Sequence, residues 1–220
     1  MMNLNFELLD QSVSLNKGTI LVLEDPNIFS KVAQSIFEYE EDGEIKFYNN
    51  KFIKIKESQL MVITDIMNYT FNSSSMLKSI YSDLEKQIND NPQLKSEIEQ
   101  ISLQLNEILS MELLNHELNL SCSDLTMYNF FKMYEVKVQT SYKTLFEKSL
   151  EIVQVYKYLY KKTLLVFINV CSYFSKAEVS ELLDFISLLN VDVLFIEPKS
   201  VYDFRQYALD KDYFLFVPEE

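Results

Sequence analysis

Two short apolar runs, residues 164–170 (LLVFINV) and 191–196 (VDVLFI), constrain this chain more than any other feature. Each is far too short to cross a bilayer as a helix, which takes about 20 residues. Both are rich in Val, Ile, Leu and Phe, as strands buried on both faces of a parallel sheet are. The segment between them reads as one helix. Ser175 followed by Glu178 is a capping box, and Phe174 and Val179 stand where a hydrophobic staple would. Val179, Leu182, Leu183, Ile186 and Leu189 then recur at helical spacing, and Asn190 is an acceptable stop. Strand, helix, strand with short joints is a right-handed crossover, so the sheet is expected to be mostly parallel.

The rest of the chain supplies further strands and a long helical tract. Alternation at Phe6, Leu8, Val13 and Leu15 predicts edge strands. Gly18 leads into a buried strand over 19–23, and a helix over 28–39 follows with Ile28, Val32, Ser35 and Ile36 inward. After a turn at Asp42-Gly43, the segment KFYNNKFIKIK (46–56) holds four lysines and no acid. It reads either as an edge hairpin guarded by lysine or as a basic contact strip. Residues 60–63 form the next buried strand, ending at Thr64-Asp65.

Beyond Asn72-Ser73-Ser74-Ser75 the pattern turns helical, with one helix over 76–88 and a second from Pro92. Leu94, Ile98, Ile101, Leu105 and Ile108 recur there at 4-3-4-3 spacing, a coiled-coil seam that pairs either within the chain or with another subunit. A third helix follows Ser123-Asp124, and a fourth over 144–160 carries Phe146, Leu150, Val153, Tyr156 and Tyr160 on its face. A last strand is expected over 213–217. The expected architecture is an α/β domain, residues 1–75 and 160–220, split by an all-helical insertion, residues 76–159.

At 220 residues, 48% of them apolar, the chain can bury a sizeable core. No apolar run approaches 18 residues and the start MMNLNFELLD lacks a signal-peptide pattern, so a cytoplasmic protein without a membrane partner is expected. Cys122 and Cys171 belong to no CxxC pair and are expected as reduced thiols. His116, the only histidine, excludes histidine-based metal clusters and reads as a solvated or capping residue. A net charge of −13 argues against indiscriminate coating of nucleic acid. It leaves room for a local lysine patch, because charges are screened beyond about 8 Å at physiological salt.

The order of elements follows that of an ABC-type P-loop ATPase, in a degenerate form. The loop after the first buried strand, EDPNIFSK (24–31), has no glycine where a phosphate cradle needs GxxxxGK[ST]. The partner strand ends in Asn169-Val170 rather than in an acid able to hold magnesium. The nucleotide site therefore reads as lost, and no catalysis is expected. Two alternatives stay open: a divergent NTPase or nuclease using Asp65, Glu24 and Asp25 around magnesium, and a helical scaffold recruiting a protein through the 94–108 seam.

Several local motifs carry a family resemblance: Leu77-Lys78 with Asp83-Leu84-Glu85, Phe146-Glu147-Lys148, Tyr158-Leu159 with Lys161-Lys162, the LLVFIN strand, VLFIEP, and YDFRQYALDKDYFL (202–215). Together they resemble the CRISPR-associated adaptation protein of type II-A systems, the short form of the Csn-two family, over nearly the whole chain. The resemblance implies a toroidal homotetramer of sheet heads and helical legs that binds ends of double-stranded DNA, depends on calcium and assists spacer acquisition without catalysis. It implies other CRISPR adaptation proteins and the effector nuclease as partners. Calcium ligands are expected before the third insertion helix, where Glu117 and Asp124 fit the acidic pattern and Asn119, Ser121 and Ser123 are weaker donors. Independently, residues 124–162 hold seven lysines against four acids, a local +3 in a chain of −13. The candidate DNA contacts are Lys78, Lys132, Lys137, Lys148, Lys157 and Lys161. Lysine in place of arginine suits backbone contact over base reading.

Overall fold

The two apolar runs form β6 (Leu164–Ile168) and β7 (Val193–Glu197), and every residue of both strands is buried. The computed structural model describes residues 2–159 and 162–217. In chain order the other elements are β1 (Met2–Asn5), β2 (Val13–Leu15), β3 (Gly18–Leu23), α1 (Pro26–Phe37), β4 (Lys46–Asn49), β5 (Leu60–Ile63), α2 (Ser74–Asn89), α3 (Pro92–Leu114), α4 (Met127–Met133), α5 (Leu145–Tyr158), α6 (Lys176–Leu189, between β6 and β7), β8 (Tyr207–Leu209) and β9 (Leu215–Phe216). The chain divides into two units, residues 1–69 with 141–220 and residues 70–140.

The larger unit is built on a six-stranded sheet of order β5-β6-β7-β3-β8-β9, parallel except for β9 against β8. Its centre pairs Gly18 with Val193 through Val22 with Glu197, and Leu165 with Val193 through Ile168 with Ile196. Side chains alternate across this ladder. Leu21, Leu23, Leu164, Val166, Leu194 and Ile196 join one core with Ile28, Val32 and Ile36 of α1 and with the small antiparallel sheet β2-β1-β4. On the other face α6 covers β3, and Phe167 stacks on Phe195 with ring centres 5.5 Å apart. Helix α6 starts and stops as its sequence predicts. The Ser175–Glu178 capping box is present, and Asn190 ends the helix in the left-handed region at φ 53°.

Two placements differ from the sequence reading, and one open choice is decided. Phe6 and Leu8 fall in the turn after β1 rather than in a strand, and Phe6 is buried by tertiary packing that alternation cannot distinguish from a ladder. Of the two readings of the lysine-rich 46–56 segment, the edge hairpin is the one found: β4 pairs with β1 on one side and folds back on the other, where Asn49 N donates to Ile53 O and Lys54 reaches Asp42. Helix α5, placed in the insertion by its sequence, packs on α6 within the sheet unit and buries Ile152, Val153 and Tyr156. Its long apolar face is what a sheet-covering helix needs, and a pattern of that kind does not say which neighbour covers it.

The smaller unit holds α2, α3 and α4. Its centre is Tyr81, whose ring meets Tyr128 and Phe131 and whose hydroxyl donates to Val136 O at 2.8 Å. Asn72 bonds both the N–H and the carbonyl of Val138. Helix α3 buries none of its 23 residues.

Because Phe167 is fully buried at the centre of the sheet, Phe167→Ala should cost about 3–5 kcal/mol of unfolding free energy. Phe37→Ala, at a ring 65% exposed, should change it by less than about 0.5 kcal/mol. Urea titration of both variants checks the pair; equal effects would mean that the core is not centred on β6 and β7.

Candidate functional site

Ligands of parallel α/β sheets usually sit at the carboxyl edge, where loop and helix amides point outward with partial positive charge. In this chain those amides already have acceptors. At the β3–α1 turn, Asp25 caps the helix, its Oδ1 accepting from Asn27 N at 2.8 Å and Ile28 N at 3.1 Å. Pro26 occupies the first helical position and offers no donor. At the end of β6, Asn169 turns left-handed at φ 54°, and the next two amides, Val170 N and Cys171 N, each donate to Glu197 Oε1 at 2.9 Å. Ser175 and Glu178 cap α6, and the nearby Ser175 N–H holds the Glu178 carboxyl below its usual range. Asp65 accepts from the backbone and side-chain amides of Asn68, which depress its carboxyl too. An incoming phosphate would have to displace tethered carboxylates.

Glu197 is the residue that sequence reasoning passed over. It ends a fully buried strand and is 2% exposed, so burial pushes its carboxyl above the usual range, against the opposing pull of the Cys171 and Val170 amides. The Cys171 thiol beside it is pushed up by burial and by the Glu197 charge. A glutamate closing an otherwise apolar run is itself a signal, since a buried carboxylate must find donors.

The candidate lysines separate into three groups. Lys78 on α2, Lys132 on α4 and Lys137 just after α4 are exposed and lie in the small unit, where the Tyr81 and Asn72 bonds tie α2 to the segment after α4. Lys148 corrects the sequence expectation. It is 3% exposed, donates to Met67 O at 2.8 Å and stands 5.2 Å from the centre of the Tyr142 ring. A lysine buried on a helix face must spend its charge on a local acceptor, so this one is not presented to a duplex. Lys157 is exposed on α5 and donates to Leu189 O at the end of α6. Lys161 lies outside the described residues.

Glu117 and Asp124 are both exposed in the 115–126 connection between α3 and α4. Among the described residues no group of three or more His, Cys, Asp or Glu could hold a metal ion. Calcium takes six to eight oxygens, so this pair alone does not fit it. His116 has a local role, its Nδ1 accepting from Leu118 N. Cys122 and Cys171 are free thiols, and no helix among the described residues is long and apolar enough to cross a membrane.

Comparison with known proteins agrees with the sequence resemblance. The family model described as CRISPR-associated protein (Cas_Csn2) matches residues 38–213. The chain is 41% identical over 215 residues to a CRISPR-associated protein Csn2 of Streptococcus agalactiae, covering 98% of this chain and 97% of that protein. It is 40% identical over 214 residues to a CRISPR-associated protein Csn2 of Enterococcus faecalis, with 97% and 98% coverage. The crystal structure of Stu0660 of Streptococcus thermophilus shares the fold, with a TM-score of 0.62, 13% identity, and coverage of 100% of this chain and 76% of that one.

The raised Glu197 carboxyl has a definite pH signature. Its contribution to stability is complete below the ordinary glutamate value of 4.5 and is lost as pH rises through the higher folded value. Glu197→Gln keeps an oxygen for the two amides and removes that titration, so its unfolding free energy should vary less above pH 4.5. Glu197→Ala strands both amides and should cost about 1–3 kcal/mol. Denaturant melts across pH 4–8 check this; a parent and a Gln variant with the same pH profile would show that Glu197 does not titrate in that window.

Proposed function

Because the chain belongs to the Csn2 family of CRISPR-associated proteins, we propose that it is a non-catalytic, ring-forming protein that binds ends of double-stranded DNA during spacer acquisition. The observation that carries this reading is a local excess of lysine: residues 124–162 hold seven lysines against four acids in a chain of net charge −13, and Lys132 and Lys137 of that tract, with Lys78 on α2, are exposed to solvent. Lysine is a flexible point charge, suited to phosphates regardless of base sequence. An acidic exterior with a basic lumen is what a ring threaded by a duplex requires. The sheet unit supports a role without nucleotide chemistry, since its carboxyl-edge amides are taken by Asp25 and Glu197.

Self-association is supported by α3. Ile101 and Ile108 of its seam are each 63% exposed, and Leu94 and Leu105 are 39% and 38% exposed. A repeating apolar seam left in water is costly, and a second copy would cover it. Ile101→Glu with Ile108→Glu should therefore lower the mass seen by light scattering toward that of one chain. An unchanged mass would move the subunit contact elsewhere. Calcium is proposed as a cofactor on the resemblance alone, with Glu117 and Asp124 joined by further oxygen ligands. Replacing both by Ala should remove most of the calorimetric response to calcium; an unchanged response would place the ligands elsewhere.

DNA binding should be sequence-independent and should need free ends, so a linear duplex should bind far better than a relaxed circle of the same sequence. The logarithm of affinity should fall linearly with the logarithm of salt, by about 0.9 per phosphate contacted. The triple variant Lys78→Ala, Lys132→Ala, Lys137→Ala should weaken all sequences alike and flatten that slope, whereas Lys148→Met should not flatten it. Fluorescence anisotropy over a salt series checks this, and equal affinity for circle and line would remove threading.

A further inference from the structure

The amino-terminal edge of the six-stranded sheet carries a feature that the proposed function does not use. A cavity of about 610 Å³ opens there, lined by the residues just before β5, β6 and β7 and by the hairpin after β4. Among the described residues three lysines reach it, Lys51 from the hairpin, Lys157 from α5 and Lys162 from the approach to β6, and one carboxylate lines it, Asp192, whose Oδ1 already accepts from Lys17 N at 3.1 Å.

Two of the neutral polar side chains have also spent their acceptors, and Thr163 Oγ1 is buried here without a partner among the described residues. Asn49 Oδ1 takes the amides of Lys51 and Ile53 at 2.9 and 3.1 Å, and Gln59 Oε1 takes the amide of Lys56 at 2.9 Å. What each side chain has left is its NH₂ group, a donor. Lys157 and Lys162 each place one N–H on a carbonyl, Leu189 O and Leu60 O, which holds the ammonium in position with two donors to spare. Lys162 is half-buried, and burial lowers its pKa against the opposing charge of Glu57, so an anion at this edge would relieve an existing cost.

A cavity with three cations, spare amide donors and one committed carboxylate suits a compact, multiply charged oxyanion. We propose that this edge is a binding site for a phosphate monoester, held by Lys51, Lys157 and Lys162 and by the amides of Asn49 and Gln59. The usual preference for the carboxyl edge rests on helix N-termini. This site relies on side-chain donors instead, since α5 and α6 end here with their carbonyls, one of which, Leu189 O, is already met by Lys157. The inference does not depend on DNA binding, because a free monoester fills the site as well as the end of a strand does.

Calorimetry on the whole chain at low ionic strength tests it with inorganic phosphate, deoxyadenosine 5′-monophosphate and, as control, deoxyadenosine. The two phosphates should saturate at one per chain and the nucleoside should give no saturable heat. Lys51→Ala and Lys162→Met should each weaken the nucleotide by about tenfold, the loss of one charge-assisted bond. Lys51 is exposed, so its variant keeps the test valid should Lys162→Met fail to fold. Lys95→Ala, on α3 and outside the cavity, should leave the affinity as it is. Absence of saturable binding by both phosphates, or equal affinity in parent and Lys51→Ala, overturns the proposal. Competition then identifies the source. Displacement of the nucleotide by a 5′-phosphorylated duplex but not by a 5′-hydroxyl one assigns the site to DNA ends, and displacement by neither assigns it to a free ligand. Equal displacement by both overturns the monoester as the recognised group.

Discussion

Strands β3, β6 and β7 lie in surroundings where nothing apolar can satisfy a backbone amide, so each can hydrogen-bond only to its neighbours. That requirement keeps the three in register across five paired positions between β3 and β7 and four between β6 and β7. Both faces must then be covered, and the chain uses α1 with the small antiparallel sheet on one side and α6, supported by α5, on the other. Helix α5 follows the insertion in sequence, yet it belongs to the sheet because this cover would otherwise be incomplete.

Once the sheet is parallel, its two edges acquire opposite chemistry. The carboxyl edge gathers outward-pointing amides, and the chain answers them with its own carboxylates: Asp25 at α1, Glu197 at the end of β7 for the amides after β6, and Glu178 at α6. The amino edge gathers lysines, and there side-chain amides have given their oxygens to the backbone. An anion at the proposed amino-edge site would rest on side-chain charge, which is not bound to helix polarity as main-chain charge is.

The small unit follows a different logic. Its ordered centre is a cluster of aromatic rings around Tyr81, while α3, which packs against α2, buries none of its residues and leaves Ile101 and Ile108 of its seam exposed. Lysines on α2 and α4 can act on a polyanion despite the net charge of the chain, because screening limits the reach of acids elsewhere to about 8 Å.

Local signals determined a good deal of this protein from its sequence. The crossover at 164–196, the start of α6 at Ser175 and its stop at Asn190 were legible because strand burial, capping and left-handed termination act over a few residues. The absence of a glycine cradle at 24–31 was legible for the same reason. Other features depended on residues far apart in sequence. Lys148 and Lys132 look alike as letters in a basic tract, yet Lys148 finds Met67 O, 81 residues away, and is buried. Glu197 is tied to amides 26 and 27 residues before it. The amino-edge cavity draws Lys51 beside Lys157 and Lys162 only because β4, β5, β6 and β7 bring those segments together. Sequence alone determined the segments whose signals are local, such as β6, α6 and β7, whereas the short edge strands β1 and β8 depended on their partners in the sheet. Tertiary structure alone decided which charges are spent and which are offered, since that is settled by neighbours in space.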